Sequence, residues 1–304
     1  MPQAEKPKIA VIGLGSMGFG MAMSLKRAAF EVTGCDVVPD NVARFVAEGG
    51  KGAKTPAEAA KSADIVVSVV LNAAQTEAIL FGQNGVAETL AKDAVFVSSA
   101  TMDPDVARKL AAQLEATGRH YLDAPISGGA QRAAQGELTI LASGSPAAFA
   151  KARPALDAMA AKLYELGDAA GQGAAFKMIN QLLAGVHIAA ASEAMAFAAR
   201  QGLDLRKVYE VITASAGNSW MFENRMTHVL DGDYAPRSAV EIFVKDLGIV
   251  QDMARSARFP VPLAAAALQM FLMTSATGMG RDDDASLARM YAKIGGAKLP
   301  GETK

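Results

Sequence analysis

The feature that most constrains the fold is a short apolar run closed by regularly spaced glycines. The run Ile9–Ile12 is typical of a buried strand, and the glycines after it follow the GxGxxG spacing. Gly13 permits a tight turn, Gly15 lets the backbone approach a pyrophosphate, and Gly18 lets a helix pack on the strand. The N-terminus of that helix offers free N–H groups to phosphate. The pattern predicts a dinucleotide site formed by Gly13, Leu14, Gly15, Ser16, Met17 and Gly18.

An acidic residue follows the second predicted strand, where it can bind a ribose. The run Glu31–Cys35 predicts a strand, and Asp36 comes directly after it. A carboxylate at this position accepts hydrogen bonds from the ribose hydroxyls and would repel a 2′-phosphate. No arginine is present in the next residues, Val37-Val38-Pro39. We therefore expect NAD as the cofactor; the alternative is an accidental glycine turn that binds none.

Further strand-like runs alternate with helical stretches up to about Gly167. This alternation predicts a doubly wound, mainly parallel sheet of the Rossmann type. After the first helix at 17–29, the predicted strands are 64–71, 94–98, 121–123 and 138–141.

The C-terminal part of the chain has a different character. Residues 172–200 are rich in alanine and predict a connecting helix about 40 Å long, since a helix rises about 1.5 Å per residue. Gly202 can end this helix, and only helical segments follow it. We expect an NAD-binding domain at 1–167 and an all-helical domain for substrate binding and oligomerisation at 168–304.

Composition limits the partners. The 304 residues carry 30 basic and 31 acidic side chains, so no global field attracts nucleic acid or an anionic membrane. The only cysteine, Cys35, fits a reducing cytoplasm, and no signal peptide or zinc-type spacing is evident. The alanine-rich stretch Ile188–Ala199 is interrupted by Glu193 and is too short to span a bilayer. We expect a cytoplasmic protein without a metal ion.

Residues 123–129, Asp-Ala-Pro-Ile-Ser-Gly-Gly, suit an anionic ligand. Gly128 and Gly129 leave backbone N–H groups unshielded, and Ser127 adds a hydroxyl donor, a set that fits a carboxylate. The alternative is a plain turn with a serine cap. Asp123 is expected to be structural.

One lysine on the long helix has two amide side chains beside it. Lys177, Asn180 and Gln181 are spaced i, i+3 and i+4 and therefore share a helix face. A lysine on a mostly apolar helix suits proton transfer to or from a hydroxyl or carbonyl oxygen. The alternative is a solvated lysine with surface amides.

Together, these three motifs resemble the β-hydroxyacid dehydrogenase family, and the resemblance covers essentially the whole chain. It implies that Lys177 is catalytic, that the Ser127–Gly129 loop binds substrate, and that Asn180 and Gln181 hold the substrate oxygen. Lys245, in a Lys-Asp-Leu segment, corresponds to a lysine at the cofactor end of the site, with an ordinary helix-face lysine as the alternative. Thr101 matches a residue near the nicotinamide ribose, with strand-end capping as its alternative.

Two C-terminal segments, 217–225 and 238–250, resemble the branch of the family that acts on polyhydroxy acids. They favour L-threonate as the substrate. Oxidation of 3-hydroxyisobutyrate, reduction of tartronate or succinic semialdehyde, and a non-catalytic NAD-binding scaffold are the alternatives. The alanine and methionine of the helical part predict a homodimer or homotetramer.

Overall fold

The computed structural model describes residues 6–301 of the chain. They form two compact units, one ending at Lys177 and the other beginning at Met178. We propose that the domain boundary lies at 167/168, ten residues before this point.

The first unit is built on a six-stranded parallel sheet with the strand order 3-2-1-4-5-6. This order confirms the predicted doubly wound topology, and it reverses between β1 and β4, where such sheets bind ligands. The strands are β1 (Ile9–Ile12), β2 (Val32–Cys35), β3 (Lys51–Ala53), β4 (Ile65–Ser68), β5 (Val95–Ser98) and β6 (His120–Asp123).

The central strands β1, β4 and β5 are buried on both faces, as their uninterrupted apolar runs predict. In β1, Ile9 and Val11 belong to one hydrophobic cluster, whereas Ala10 and Ile12 belong to another. This alternation follows from the two-residue period of a strand. The helices of this unit are α1 (Ser16–Arg27), α2 (Pro39–Ala47), α3 (Pro56–Ala60), α4 (Ala73–Phe81), α5 (Pro104–Glu115), α6 (Gly129–Gln135) and α7 (Pro146–Met159).

A second, three-stranded sheet corrects one prediction from the sequence. Residues 138–141 were expected in the main sheet, but they lie in β8 (Leu138–Ala142), between β7 (Ile126–Ser127) and β9 (Ala160–Glu165). β7 is antiparallel to β8, and β9 is parallel to it. Alternate residues of β8 are buried, whereas the central strands of the main sheet are buried on both faces. This one-sided burial is what a small edge sheet permits.

The second unit is helical, as predicted. Its core includes stacked pairs of rings, Phe243 with Phe271 and Tyr209 with Phe222. The long predicted helix is present as α8 (Gln172–Arg200), which starts in the first unit. The other helices are α9 (Leu205–Thr213), α10 (Trp220–Asp231), α11 (Val240–Ser256), α12 (Pro262–Thr274) and α13 (Leu287–Gly295).

By length and composition alone, α8 could cross a membrane, unlike the shorter stretch considered from the sequence. Half of its most apolar window is buried within the protein, however. A core helix of a globular protein meets the same length and composition criteria.

Candidate functional site

The turn between β1 and α1 requires glycine at two positions. Gly13 has φ +94°, and a Cβ there would lie 2.2 Å from the carbonyl oxygen of Val69. A Cβ on Gly18 would lie 1.9 Å from the carbonyl oxygen of Gly13. The first and last glycines of the motif therefore let the strand, the turn and the helix approach closely.

The start of α1 is open to an anionic ligand. Gly15 is exposed, and a Cβ on it would have no neighbour within 4 Å. Gly15 is also the N-cap of α1, where no side chain supplies a capping hydrogen bond and the first turn holds no acidic residue. Ser16 is exposed, whereas Leu14 is buried and Met17 packs on the core. A free helix N-terminus of this kind fits a pyrophosphate.

Asp36 ties the end of β2 to the glycine turn. Its Oδ2 accepts a hydrogen bond from the backbone N–H of Leu14 at 2.6 Å, and its Oδ1 accepts one from Val38 at 2.8 Å. The side chain is half-buried, and each carboxylate oxygen can accept a further hydrogen bond. The residues present therefore fit a dinucleotide whose adenosine ribose carries no 2′-phosphate.

Four residues discussed from the sequence lie at the carboxyl edge of the parallel sheet. Gly13 follows β1, Asp36 follows β2, Thr101 follows β5, and Asp123 ends β6. Thr101 is half-buried, and the capping of α5 is supplied by Asp103, whose Oδ1 accepts from a backbone N–H at 2.7 Å. This carboxyl edge is where doubly wound sheets bind ligands.

The predicted anion loop follows β6. Ser127 lies in β7, and both Gly128 (φ +136°) and Gly129 (φ +78°) adopt positive φ. Gly129 is exposed and begins α6, where no side chain caps the N–H groups. The loop therefore presents unshielded backbone donors beside a hydroxyl.

Lys177 is buried, with 7% of its surface exposed. Its Nζ donates a hydrogen bond to the carbonyl oxygen of Ile126 at 2.8 Å. Because Ile126 precedes Ser127 in β7, the lysine head lies beside the anion loop. The alternative of a solvated helix lysine is therefore wrong.

The sequence did not identify the contacts that hold the start of this lysine's helix. Asp123 Oδ2 accepts hydrogen bonds from the backbone N–H groups of Gly171 at 2.9 Å and Ala174 at 2.8 Å. Burial raises the pKa of Asp123 to about 6, against the opposing effect of these hydrogen bonds. The expectation that Asp123 has a structural role agrees with these contacts.

In the second unit, a hydrogen-bonded row joins three predicted residues. Asn180 Nδ2 donates to Gln181 Oε1 at 2.9 Å, and Gln181 Nε2 donates to Asp246 Oδ2 at 2.5 Å. Lys245 forms an ion pair with the same carboxylate. Asp246 is 1% exposed and was not singled out from the sequence, although an acid beside a lysine on an apolar helix is a recognisable signal.

Two polar residues of the segment 217–225 have local partners. Ser219 is the N-cap of α10, since its Oγ accepts from the backbone N–H of Phe222 at 3.0 Å. Asn218 Nδ2 donates to Glu223 Oε1 at 2.5 Å. Within residues 6–301, no group of three or more His, Cys, Asp or Glu side chains is placed to hold a metal ion.

Two family models together match nearly the whole chain. Residues 8–167 match the NAD-binding domain of 6-phosphogluconate dehydrogenase. Residues 171–291 match the NAD-binding region of NADP-dependent 3-hydroxyisobutyrate dehydrogenase.

Named relatives cover the same span. The chain is 52% identical to an L-threonate dehydrogenase of Cupriavidus necator, over 97% of this chain and 99% of the relative. It is 47% identical to an L-threonate dehydrogenase of Escherichia coli K12, over 96% of each. A solved structure described as 3-hydroxyisobutyrate dehydrogenase from Salmonella typhimurium is 50% identical, with a TM-score of 0.90, over 94% of this chain and 100% of the other.

Proposed function

We propose that this chain, which belongs to the β-hydroxyacid dehydrogenase family, oxidises L-threonate to its 2-oxo acid with NAD as the hydride acceptor. An NAD-dependent hydroxyacid dehydrogenase activity follows from the family. The observation that carries the proposed proton transfer is the placement of buried Lys177 beside the Ser127–Gly129 loop, through its 2.8 Å bond to Ile126.

The loop holds the substrate carboxylate. The Ser127 hydroxyl and the N–H groups of Gly128 and Gly129 are donors that a carboxylate accepts well. Binding of the carboxylate determines which carbon of the substrate faces the lysine. Orientation of this kind lowers the barrier by removing motions that would otherwise be lost in the transition state.

Lys177 takes up the proton. In its neutral form, Nζ has one lone pair for the substrate hydroxyl proton and still has an N–H to donate to Ile126. As the O–H bond breaks toward Nζ, the carbon–oxygen bond becomes a carbonyl and the C–H bond electrons leave as hydride. Gly13, Gly15 and Asp36 would hold NAD, which would supply the acceptor for that hydride.

Asn180 and Gln181 hold the reacting oxygen. They follow Lys177 by one helical turn on the same side of α8. Asp246 fixes the Gln181 amide through a 2.5 Å bond, so the amide cannot rotate freely. Lys245, paired with Asp246, adds a cation for the cofactor end of the site, and Thr101 serves the ribose.

The substrate assignment rests on the relatives named L-threonate dehydrogenase. A second candidate is 3-hydroxyisobutyrate, because the Salmonella structure of 50% identity carries that description. A non-catalytic scaffold is disfavoured, since a pure scaffold does not need a buried lysine beside an anion loop.

A panel of acids tests the substrate. The protein is mixed with NAD and each of L-threonate, D-threonate, erythronate, glycerate and 3-hydroxyisobutyrate, and NADH is followed at 340 nm. We expect kcat/KM for L-threonate to exceed that for 3-hydroxyisobutyrate at least about tenfold, because a site that binds the additional hydroxyls leaves polar groups unpaired when the less hydroxylated acid binds. A higher value for 3-hydroxyisobutyrate or glycerate contradicts the substrate but leaves the family intact.

We also propose a homodimer or homotetramer in the cytoplasm. Phe176, Ile179 and Leu183 are large apolar side chains on α8 that remain about half exposed, at 52%, 60% and 49%. Their spacing places them along one side of the helix. Apolar stripes of this kind usually mark interfaces.

A further inference from the structure

A buried carboxylate and a buried hydroxyl fasten the first turn of α8. Asp123 Oδ2 accepts from the N–H groups of Gly171 and Ala174, and the Ser143 hydroxyl donates to the same oxygen at 3.3 Å. Ser143 Oγ also accepts from the N–H of Gly173 at 2.9 Å. The N–H groups at a helix start have no partner within the helix. Here, three donors of α8 and its approach are satisfied by these two side chains.

The two side chains that fasten α8 belong to a rigid frame. Asp123 ends β6, and its backbone N–H and carbonyl are both hydrogen-bonded to Ser143, at 3.0 and 2.8 Å. Both residues are fully buried. The start of α8 is therefore fixed to the edge of the main sheet.

The lysine is fixed to the same stretch of chain. Lys177 follows Ala174 by three residues, or less than one helical turn. Ile126, which accepts from Lys177, follows Asp123 by three residues. The segment from Asp123 to Ser127 thus holds the helix start at one end and the lysine head at the other. A displacement of the helix start would change where the lysine lies relative to the loop.

Capping this helix with a buried carboxylate costs desolvation free energy. Within the described part of the chain, Asp123 Oδ1 is buried without a hydrogen-bond partner. The titratable groups that face it are Arg108 from α5, which favours its ionised form, and the un-ionised hydroxyl of Tyr121 on β6. A neutral Ser or Asn cap would avoid the cost of desolvating a carboxylate.

We propose that Asp123 is a positioning residue for Lys177, holding the first turn of α8 so that the lysine Nζ stays beside the Ser127–Gly129 loop. The inference rests on the proposed function, in which Lys177 takes up the proton. Asp123 itself touches neither the substrate nor the cofactor in this account.

The test uses Asp123→Ala, Asp123→Asn and Ser143→Ala in the full chain. In protein shown to be folded by circular dichroism, we expect Asp123→Ala to lower kcat about 100-fold, the effect of misplacing a reacting group by about 1 Å. Asn keeps one acceptor oxygen, so Asp123→Asn should recover about tenfold of that loss. KM for the acid and Kd for NAD should stay within about threefold, since neither the loop nor the cofactor turn is altered. Ser143→Ala should lower kcat about tenfold. If Asp123→Ala does not fold, the kcat of Ser143→Ala is the measurement that tests the inference.

A matched control separates positioning from capping in general. Asp204 is the N-cap of α9, where its Oδ1 accepts from the N–H groups of Arg206 and Lys207. Asp204→Ala should lower the melting temperature but leave kcat within about twofold, because this exposed cap stabilises α9 without contacting the lysine or the loop.

A double-mutant cycle with Lys177→Ala decides whether Asp123 acts through the lysine. If it does, adding Asp123→Ala to Lys177→Ala lowers the residual kcat less than about threefold further. The inference is overturned if the fold-losses in kcat of the two single variants multiply in the double variant. It is also overturned if folded Asp123→Ala and folded Ser143→Ala both keep a kcat within about threefold of wild type. Wild-type activity of Lys177→Ala alone instead contradicts the proposed function.

Discussion

The Nζ of Lys177 lies 2.8 Å from the carbonyl oxygen of Ile126, a residue 51 positions earlier in the chain. This contact places a buried basic group beside a loop of unshielded donors. The enzymatic oxidation of a hydroxyacid requires both features, since the carboxylate must be held while the hydroxyl proton is removed. The relationship therefore links the fold of the first unit to the proposed chemistry.

Cofactor choice depends on Asp36. NAD should bind at least about tenfold more tightly than NADP, because the carboxylate would repel a 2′-phosphate. Asp36→Ala should reduce the ratio of the two Kd values. It also removes the carboxylate oxygens that accept hydrogen bonds from the N–H groups of Leu14 and Val38. Asp36→Asn is the control that keeps an acceptor for Leu14. Fluorescence titration gives both Kd values; equal affinities for NAD and NADP in the wild type contradict the assignment.

Gly15 should matter for the cofactor and not for the fold. A Cβ there meets no protein atom within 4 Å, and the gain from a less flexible unfolded chain is offset because alanine is a poorer N-cap than glycine; Gly15→Ala should therefore leave the melting temperature nearly unchanged. The methyl group would occupy the space through which the pyrophosphate approaches, and Kd for NAD should rise at least about tenfold. Gly295→Ala, at another position with no neighbour within 4 Å, serves as control. Unchanged NAD affinity in Gly15→Ala would remove the pyrophosphate from this turn.

The buried charge of Asp123 should make stability depend on pH. Burial raises its pKa from 3.8 to about 6, so between these values the folded protein binds more protons than the unfolded chain. Lowering the pH from 7 to 5 should therefore stabilise the wild type by about 1 kcal/mol relative to Asp123→Asn. Urea unfolding of both proteins at the two pH values measures this, because other titrating groups cancel. A stability difference that is the same at both values, or that falls at pH 5, contradicts the shift.

The chain should be oligomeric. The half-exposed apolar stripe of Phe176, Ile179 and Leu183 is costly to leave in water. Static light scattering at micromolar concentration should give a mass that is two or four times 31.5 kDa. Ile179→Glu, which puts a charge in the stripe, should shift the population toward the single chain. A mass of one chain for the wild type at all concentrations tested would refute the proposal.

Local patterns predicted most of the fold. The turn at Gly13 and the helix from Gln172 to Arg200 follow from residue spacing within one short stretch, and the structure has both. The strand at 138–141 was recognised but placed in the wrong sheet, since its partners are strands of two and six residues with little apolar pattern.

The contacts that complete the site could not be predicted in the same way. Asp123 meets Gly171 and Ala174 across 48 and 51 residues, and Gln181 meets Asp246 across 65. Such pairs depend on how the folded elements meet and leave no local periodicity in the sequence. Lys177 was identified because its spacing from Asn180 and Gln181 is local, but its burial was visible only in the structure.

The central claim is that Lys177 takes up the substrate proton, and turnover of Lys177→Ala with L-threonate and NAD tests it most directly. Lys207→Ala, which removes an exposed lysine paired with Glu210, is the matched control. Loss of a general base costs about 10²–10⁴-fold, so kcat of Lys177→Ala should fall by that factor while Kd for NAD stays within about threefold. A kcat above about one tenth of the wild-type value in folded, NAD-binding protein would contradict the claim.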